Sequence, residues 1–277
     1  MLNQFPNKSP QEVLDSFNHI ELTEDEQLWA IIDAKIEKQR RIDDDKKRER
    51  ENERRRLLTS TQWSYKQTES FMKYRGNVLF TAKNGRPAGF LVDNDNQMVY
   101  ELFLNYFSNE KAFESLAVNA GVVNPSLEKG ILLVGGFGVG KTAIMKLFSR
   151  NQRQVFEVAN AKVIANDYQS AGPGVVVKYE AKTTNAVNDT ERFFQKYSGL
   201  CIDDIGTEDE KNNFGNKRNV IGDLIEIRYS HGECGVFLHG TTNLTAKQIK
   251  EYYGERVASR MREVFNVIEL GGSDRRR

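Results

Sequence analysis

The sequence predicts an α/β fold in which short buried strands alternate with helices, preceded by a charged helical segment. Three observations carry this reading. Gly130-Ile131-Leu132-Leu133-Val134 is an apolar run of strand length that ends in a glycine-rich loop. Gly199-Leu200-Cys201-Ile202 is a second such run, and it ends in the adjacent carboxylates Asp203 and Asp204. Between and after these runs lie helix-like stretches and further apolar runs, at 155–158, 235–240 and 265–270.

Residues 1–58 read as helix. Ser9-Pro10-Gln11-Glu12 and Thr23-Glu24-Asp25-Glu26 each have the form of a capping box, a hydroxyl residue followed three positions later by glutamate. The second opens a long helix whose first half carries Leu28, Trp29, Ile31, Ile32 and Ile36, enough for one apolar face. From 37 to 56 nearly every residue is charged. Acid-before-base pairs four apart (Glu37–Arg41, Asp43–Lys47, Asp44–Arg48, Glu51–Arg55) support helix there. Three uses of this stretch stay open: a solvated spacer, a partner-binding arm, or a DNA-contacting arm ending in Arg54-Arg55-Arg56.

Residues 59–92 are expected to form a linker or small β module, because Val78-Leu79-Phe80 and Gly89-Phe90-Leu91-Val92 flank Asn84-Gly85 as the arms of a hairpin would. The aromatics Trp63, Tyr65, Phe71 and Tyr74, interleaved with lysines, suit either a small core or a base-stacking surface. Residues 93–107 read as a helix from the spacing of Met98, Val99, Leu102, Phe103, Tyr106 and Phe107. A further helix runs to 119, before Gly121 and Asn124-Pro125 break the chain.

The stretch 135–142 fits the phosphate-loop pattern G-x-x-x-x-G-K-[ST]. Gly135, Gly136, Gly138 and Gly140, with Phe137 and Val139 between them, let the backbone curl until successive N–H groups face phosphate oxygens. The helix that starts near Gly140 adds the positive end of its dipole. Lys141 would reach the β- and γ-phosphates, and the Thr142 hydroxyl would ligate Mg²⁺.

Downstream, 155–158 is a strand and 161–170 a helix, broken at Ala171-Gly172-Pro173-Gly174 before a short β-like Val175-Val176-Val177. A buried strand ending in paired acids is the form of a Walker B element. Asp203 would hold Mg²⁺ and Asp204 would polarise the attacking water, its short side chain making hydrolysis slow. A helix is expected at 216–229, then a strand ending in Thr241-Thr242-Asn243, where Asn243 stands at the position of a γ-phosphate sensor. Thr245 is placed to cap the next helix. On that helix Arg256 and Arg260 are four apart and share a face, so they are either a solvated basic face or a source of guanidinium for a neighbour's γ-phosphate.

Composition narrows the classes. Of 277 residues, Lys and Arg exceed Asp and Glu by one, so the whole chain is not a polybasic nucleic-acid binder and any such contact is a local patch. Cys201 and Cys234 form no C-x-x-C, which points to a reducing compartment, and His19, His231 and His239 lack metal-ligand spacing. Neither a signal pattern nor an apolar run of membrane-spanning length occurs, so a cytoplasmic chain without membrane association is expected.

The order phosphate loop, paired acids, strand-end asparagine and Gly254-Glu255-Arg256…Arg260 helix resembles that of AAA+ ATPases. Lys129-Gly130-Ile131-Leu132-Leu133, Ile202-Asp203-Asp204-Ile205-Gly206, Ile227-Arg228-Tyr229, Thr241-Thr242-Asn243-Leu244 and Tyr253-Gly254-Glu255-Arg256-Val257-Ala258-Ser259-Arg260 resemble the DnaC/IstB-like branch, which holds bacterial replicative-helicase loaders and transposition helper ATPases. The resemblance spans 93–277. It implies a three-layer α/β/α AAA+ domain with a parallel sheet of order 5-1-4-3-2, binding ATP with Mg²⁺. Lys141 and Thr142 would be Walker A, Asp203 and Asp204 Walker B, and Asn243 sensor 1. Arg260 would be an arginine finger acting in trans, with Arg256 its companion. The lid would be truncated, since seven residues follow the last strand, and Arg275 would be what remains of a sensor 2 arginine. The implied partners are single-stranded DNA, further copies of the chain, and a hexameric replicative helicase held by residues 1–58. The alternative is a helper ATPase that assembles on double-stranded DNA and recruits a transposase.

Overall fold

The computed structural model describes residues 9–17, 19–21, 23–59, 63–80, 89–171, 178–179, 182–183, 197–209, 211–213, 216–230 and 238–275. The chain divides into two compact units, 1–55 and 56–277.

In the first unit, helix α1 (Pro10–Asp15) and most of helix α2 (Glu24–Thr59) follow the two capping boxes. Ser9 N donates to Glu12 Oε2 at 2.6 Å while Glu12 N donates to Ser9 Oγ at 3.3 Å, and Thr23 and Glu26 repeat the exchange at 2.8 and 3.3 Å. Leu28, Trp29, Ile31 and Ile36 are exposed on α2. Glu37 and Arg41 form one of the expected pairs at 3.5 Å, with both side chains largely in water.

The second unit begins with α3 (Tyr65–Leu79), α4 (Gln97–Phe107) and α5 (Ala112–Asn119). There follow β1 (Gly130–Val134), α6 (Lys141–Phe148), β2 (Val155–Asn160), α7 (Ala161–Ala171), β3 (Lys182–Thr183) and β4 (Tyr197–Ile205). The remainder is β5 (Lys211–Asn213), β6 (Asn216–Arg218), α8 (Val220–Ser230), β7 (Leu238–Thr242), α9 (Ala246–Val264) and β8 (Phe265–Glu269).

Five strands pair in parallel in the order β2-β4-β7-β1-β8, with β3 antiparallel on β4. Counted in chain order the five parallel strands run 2-3-4-1-5, which is the expected 5-1-4-3-2 read from the other edge. Strand residues alternate faces. Ile131, Leu133, Phe156, Cys201 and Ile268 pack with α3, α4, α5 and α6, whereas Leu132, Leu200, Ile202, Leu238 and Phe265 pack with α7, α8 and α9. Two hydrophobic cores, one on each face, make the three layers.

Three expectations about elements change. Residues 65–79 are helix, so Val78-Leu79-Phe80 closes a helix instead of forming a hairpin arm. Ser64 and Gln67 make a capping box, and Thr68, Met72 and Gly76, spaced by four, turn one face of α3 into the core. Helix α4 starts at Gln97, not 93, because Asp93 Oδ1 accepts from Asp95 N and Asn96 N in a turn ahead of it. The expected helix over 216–229 instead begins at Val220, after an antiparallel β5–β6 pair, with Asn219 Oδ1 accepting from Gly222 N at 3.0 Å. Asn84-Gly85, Val175-Val176-Val177 and Gly235-Val236-Phe237 lie outside the described residues. Among the described residues, no helix is long and apolar enough to cross a membrane.

Candidate nucleotide site

The carboxyl ends of β1, β4 and β7 meet along one edge of the sheet, where open α/β folds place their ligands. The loop 135–140 follows β1. Gly138 and Gly140 have φ of 74° and 107°, values that only glycine adopts cheaply, so the curl depends on these residue types. Val139 is buried and fastens the loop, while Phe137 stands out 72% exposed. Around the loop is a cleft of about 920 Å³, lined by the apolar Leu79, Phe80, Phe90 and Leu91 and by the polar Lys141, Thr142, Asp204 and Asn243.

Lys141 is 5% exposed, and its ammonium donates to Gly135 O at 2.9 Å, Gly136 O at 2.7 Å and Asn243 Oδ1 at 2.5 Å. Three acceptors match the three donors of an ammonium, so a buried charge is satisfied at the mouth of the loop. The predicted sensor residue and the predicted phosphate lysine therefore touch directly. Thr142 Oγ1 lies 3.0 Å from both Asp203 carboxylate oxygens, and Thr241 Oγ1 donates to Asp203 Oδ1 at 2.7 Å.

Asp204 is the irregular residue. Its φ is 59°, and the β4–β7 register shifts between Ile202 and Ile205, where three steps along β4 span two along β7. The extra residue swings Asp204 out of the strand alternation and into the cleft, as bulges beside active sites do. Its N–H donates to Thr241 Oγ1 at 2.8 Å, its carbonyl accepts from Thr207 N at 3.1 Å, and its Oδ2 accepts from Asn160 Nδ2 at 3.4 Å. Asn160 ends β2 directly opposite Asp203.

Arg256 and Arg260 do not line this cleft. Both face Glu226 of α8: Arg256 Nε stands 2.9 Å and Arg260 Nη1 3.7 Å from Glu226 Oε1, and Arg260 lies 4.6 Å over the Tyr229 ring. Arg275 does line it, but its guanidinium grips Asp93 at two points, 2.6 and 2.8 Å, and its backbone N–H donates to Gly138 O at 3.0 Å.

Four contributors escaped the sequence reading. Asn160 looks only like a helix cap, and it does accept from Lys162 N at 3.0 Å. Thr241 is one of two threonines at a strand tip, a pattern with no signal of its own. Asp93 enters the sequence reading only as the first residue of the expected 93–107 helix. Arg75 of α3 donates to Leu147 O (2.7 Å), Lys146 O (3.0 Å) and Ser149 Oγ (2.9 Å), which caps the far end of the phosphate-loop helix. Burial, helped by nearby Arg150, pulls that guanidinium down to about 10.

The donor set fits a small hard cation. Thr142 and Asp203 offer only oxygen, adjoin each other, and sit beside the phosphate loop, as Mg²⁺ bound with phosphates requires. Among the described residues no cluster of three or more His, Cys, Asp or Glu exists that would suit a metal caged by protein alone.

No profile of a known protein family matches the sequence, and no curated protein matches it. Among solved structures the chain is similar to one titled as the crystal structure of the DnaC helicase loader. That match has 19% identity, covers 59% of this chain and 90% of that one, and has a TM-score of 0.36. A likeness of that size leaves the argument with the fold and the geometry above.

Proposed function

We propose that the chain is an ATP-dependent helicase loader. In this reading it binds ATP with Mg²⁺, self-associates, engages single-stranded DNA, and holds a hexameric replicative helicase through residues 1–58. The nucleotide part rests on one observation: Lys141 and Thr142, Asp204, and Asn243, drawn from three places in the chain, converge on one cleft beside the glycine loop, with Asp203 joined to it through Thr142. The loader part rests on the motif order that resembles the DnaC/IstB-like branch.

The chain's own groups divide the work as follows. Backbone N–H groups of 136–142 and the α6 dipole take the phosphates, and Lys141 exchanges its carbonyl and Asn243 contacts for phosphate oxygens. The apolar wall of Leu79, Phe80, Phe90 and Leu91 takes the base. Thr142 and Asp203 would hold Mg²⁺, which would neutralise phosphate charge. Asp204, steadied by Asn160, orients a water and draws its proton as the water oxygen attacks the γ-phosphorus; the bond to the β-phosphate oxygen breaks and ADP leaves. Asn243 reads the γ-phosphate through Lys141.

Arg260 and Arg256 lie outside their own cleft, which suits donation to a neighbouring copy. Mixing Arg260→Ala with Lys141→Ala chains tests this by ATP turnover. A working interface needs an intact lysine on one side and an intact arginine on the other, so equal mixtures recover about a quarter of wild-type activity if assembly is head-to-tail. Turnover no higher than in either variant alone refutes the shared site.

A further inference from the structure

Beyond Asp204 the chain turns through Gly206 and Thr207 to Glu208, which is 3% exposed. Carboxylates are almost never so buried unless paired, and among the described residues no cation hydrogen-bonds to this one. Glu208 Oε2 accepts from Gly206 N at 2.9 Å, Oε1 accepts from the Tyr253 hydroxyl, and its carbonyl accepts from the Tyr252 hydroxyl. Burial pushes the Glu208 carboxyl up despite these contacts, and it pushes the Tyr253 phenol up as well. A packed apolar pair would hold a helix against a loop without that desolvation cost.

What the pairing joins is specific. On one side is the loop that follows β4, the strand that carries Asp203 and the left-handed Asp204 near its end. On the other is α9, which is two helices: Gly254, immediately after the tyrosines, has φ 85° and ψ 165°. Such a conformation suits a glycine hinge, the kind of position that absorbs a dihedral change. The half before the hinge is fastened to the Asp204 loop through Glu208. The half after it, 255–264, seats Val257, Ala258 and Met261 in the core and carries Arg256 and Arg260 against Glu226.

We infer that Glu208 and Tyr253 are positioning residues: they transmit the state of the nucleotide cleft, through the Asp204 loop and across the Gly254 hinge, to the arginine-bearing half of α9. This rests on the nucleotide reading above and adds to it a route by which bound ATP sets the arginine face. Neither residue touches the cleft itself; Glu208 acts through Gly206 and Tyr253 through the helix.

The test uses the full chain with Mg²⁺ and the non-hydrolysed analogue adenosine 5′-(β,γ-imido)triphosphate. Analogue affinity is measured by equilibrium binding, and amide hydrogen exchange is followed in 135–142 and in 255–264. In the wild type, the analogue slows exchange in the loop and changes it by about tenfold in 255–264. Tyr253→Phe, which removes only a hydroxyl, loses the change in 255–264 while keeping the loop protection and an affinity within about threefold. Glu208→Gln, which retains one oxygen acceptor in the same volume, recovers part of the change, and Glu208→Ala recovers none.

A merely structural pairing would lower protection throughout, with and without analogue. That result overturns the inference. So does a full analogue-dependent change in 255–264 in Tyr253→Phe and Glu208→Ala, or a wild type that binds analogue with no change there; in both cases the nucleotide reading stands. A wild type that binds no analogue removes the nucleotide reading and the inference together. If Tyr253→Phe melts below the assay temperature, Glu208→Gln decides by the same readout.

Discussion

Asp204 offers the sharpest separation of stability from chemistry. Its φ of 59° lies in the left-handed region, where Asn and Asp are the best tolerated side chains after glycine. Its main-chain contacts, to Thr241 Oγ1 and from Thr207, are available to alanine, glutamate and asparagine alike, so a series of these variants isolates the backbone preference and the carboxylate. An ordinary L-residue in this region costs about 1–2 kcal/mol, and Asp already bears part of that, so Asp204→Ala should lose about 1 kcal/mol. For a unit of this size that is a fall of about 2–4 °C in melting temperature. Asp204→Glu should lose a similar amount, although it lengthens the base. Asp204→Asn should melt with the wild type, because asparagine shares the conformational tolerance and can still accept from Asn160 Nδ2. Its turnover should nevertheless fall by about 100-fold or more, the usual worth of a general base. Thermal unfolding, analogue binding and steady-state turnover on the same preparations give the three numbers. An Asp204→Ala chain that melts with or above the wild type refutes the backbone argument. An Asp204→Asn chain that retains turnover refutes the assignment of the base.

Two further expectations concern the supports of the loop. Arg75→Ala removes a half-buried fork from the last carbonyls of α6 and should cost about 2–3 kcal/mol in urea unfolding, with Arg75→Lys restoring under half because an ammonium cannot span the contacts. The Arg275 guanidinium holds the Asp93 carboxyl below the usual aspartate range. A depressed carboxyl contributes stability above its unfolded value and loses it as pH falls through the folded one, so the deficit of Asp93→Asn should be present at neutral pH and close below about pH 4. With Asp93 48% exposed, solvent screening limits that deficit to about 1 kcal/mol or less, read as a difference in melting temperature across pH.

The central strands and the loop were legible because β1 and the middle of β4 are apolar runs, followed by glycines in one case and by paired carboxylates in the other. Ile202 followed by Asp203 and Asp204 announces both a buried strand and its end. Helix α3 was not legible as such: its buried face is Thr68, Met72 and Gly76, one hydrophobe among three, so periodicity gives no signal and Asn84-Gly85 drew the reading toward a hairpin. The start of α4 was misplaced because Asp93 serves a turn whose hydrogen bonds mimic a helical cap. In the cleft, Lys141, Thr142, Asp204 and Asn243 belong to named patterns, whereas Asn160 and Thr241 are placed by register. Asn160 matters because β2 ends opposite Asp203, and Thr241 because β7 ends beside a bulge. Neither position is visible until the strand order is known.

That register also explains how the cleft can act as a unit. Thr241 is fully buried, and its single hydroxyl donates to Asp203 Oδ1 while accepting from Asp204 N. Two residues on, Asn243 accepts from Lys141. The tip of β7 therefore touches Asp203, Asp204 and Lys141, the three groups to which the proposed function gives metal, water and phosphate, within three consecutive residues. A phosphate that takes Lys141 away from Asn243 releases one end of that tip, and the other end is hydrogen-bonded to both acids. Under the proposed function, recognition of the γ-phosphate and alignment of the carboxylates would be one displacement of one strand end. Because interior hydrogen-bond networks reward complete satisfaction, a phosphate that displaces Asn243 from Lys141 must offer the ammonium acceptors in exchange.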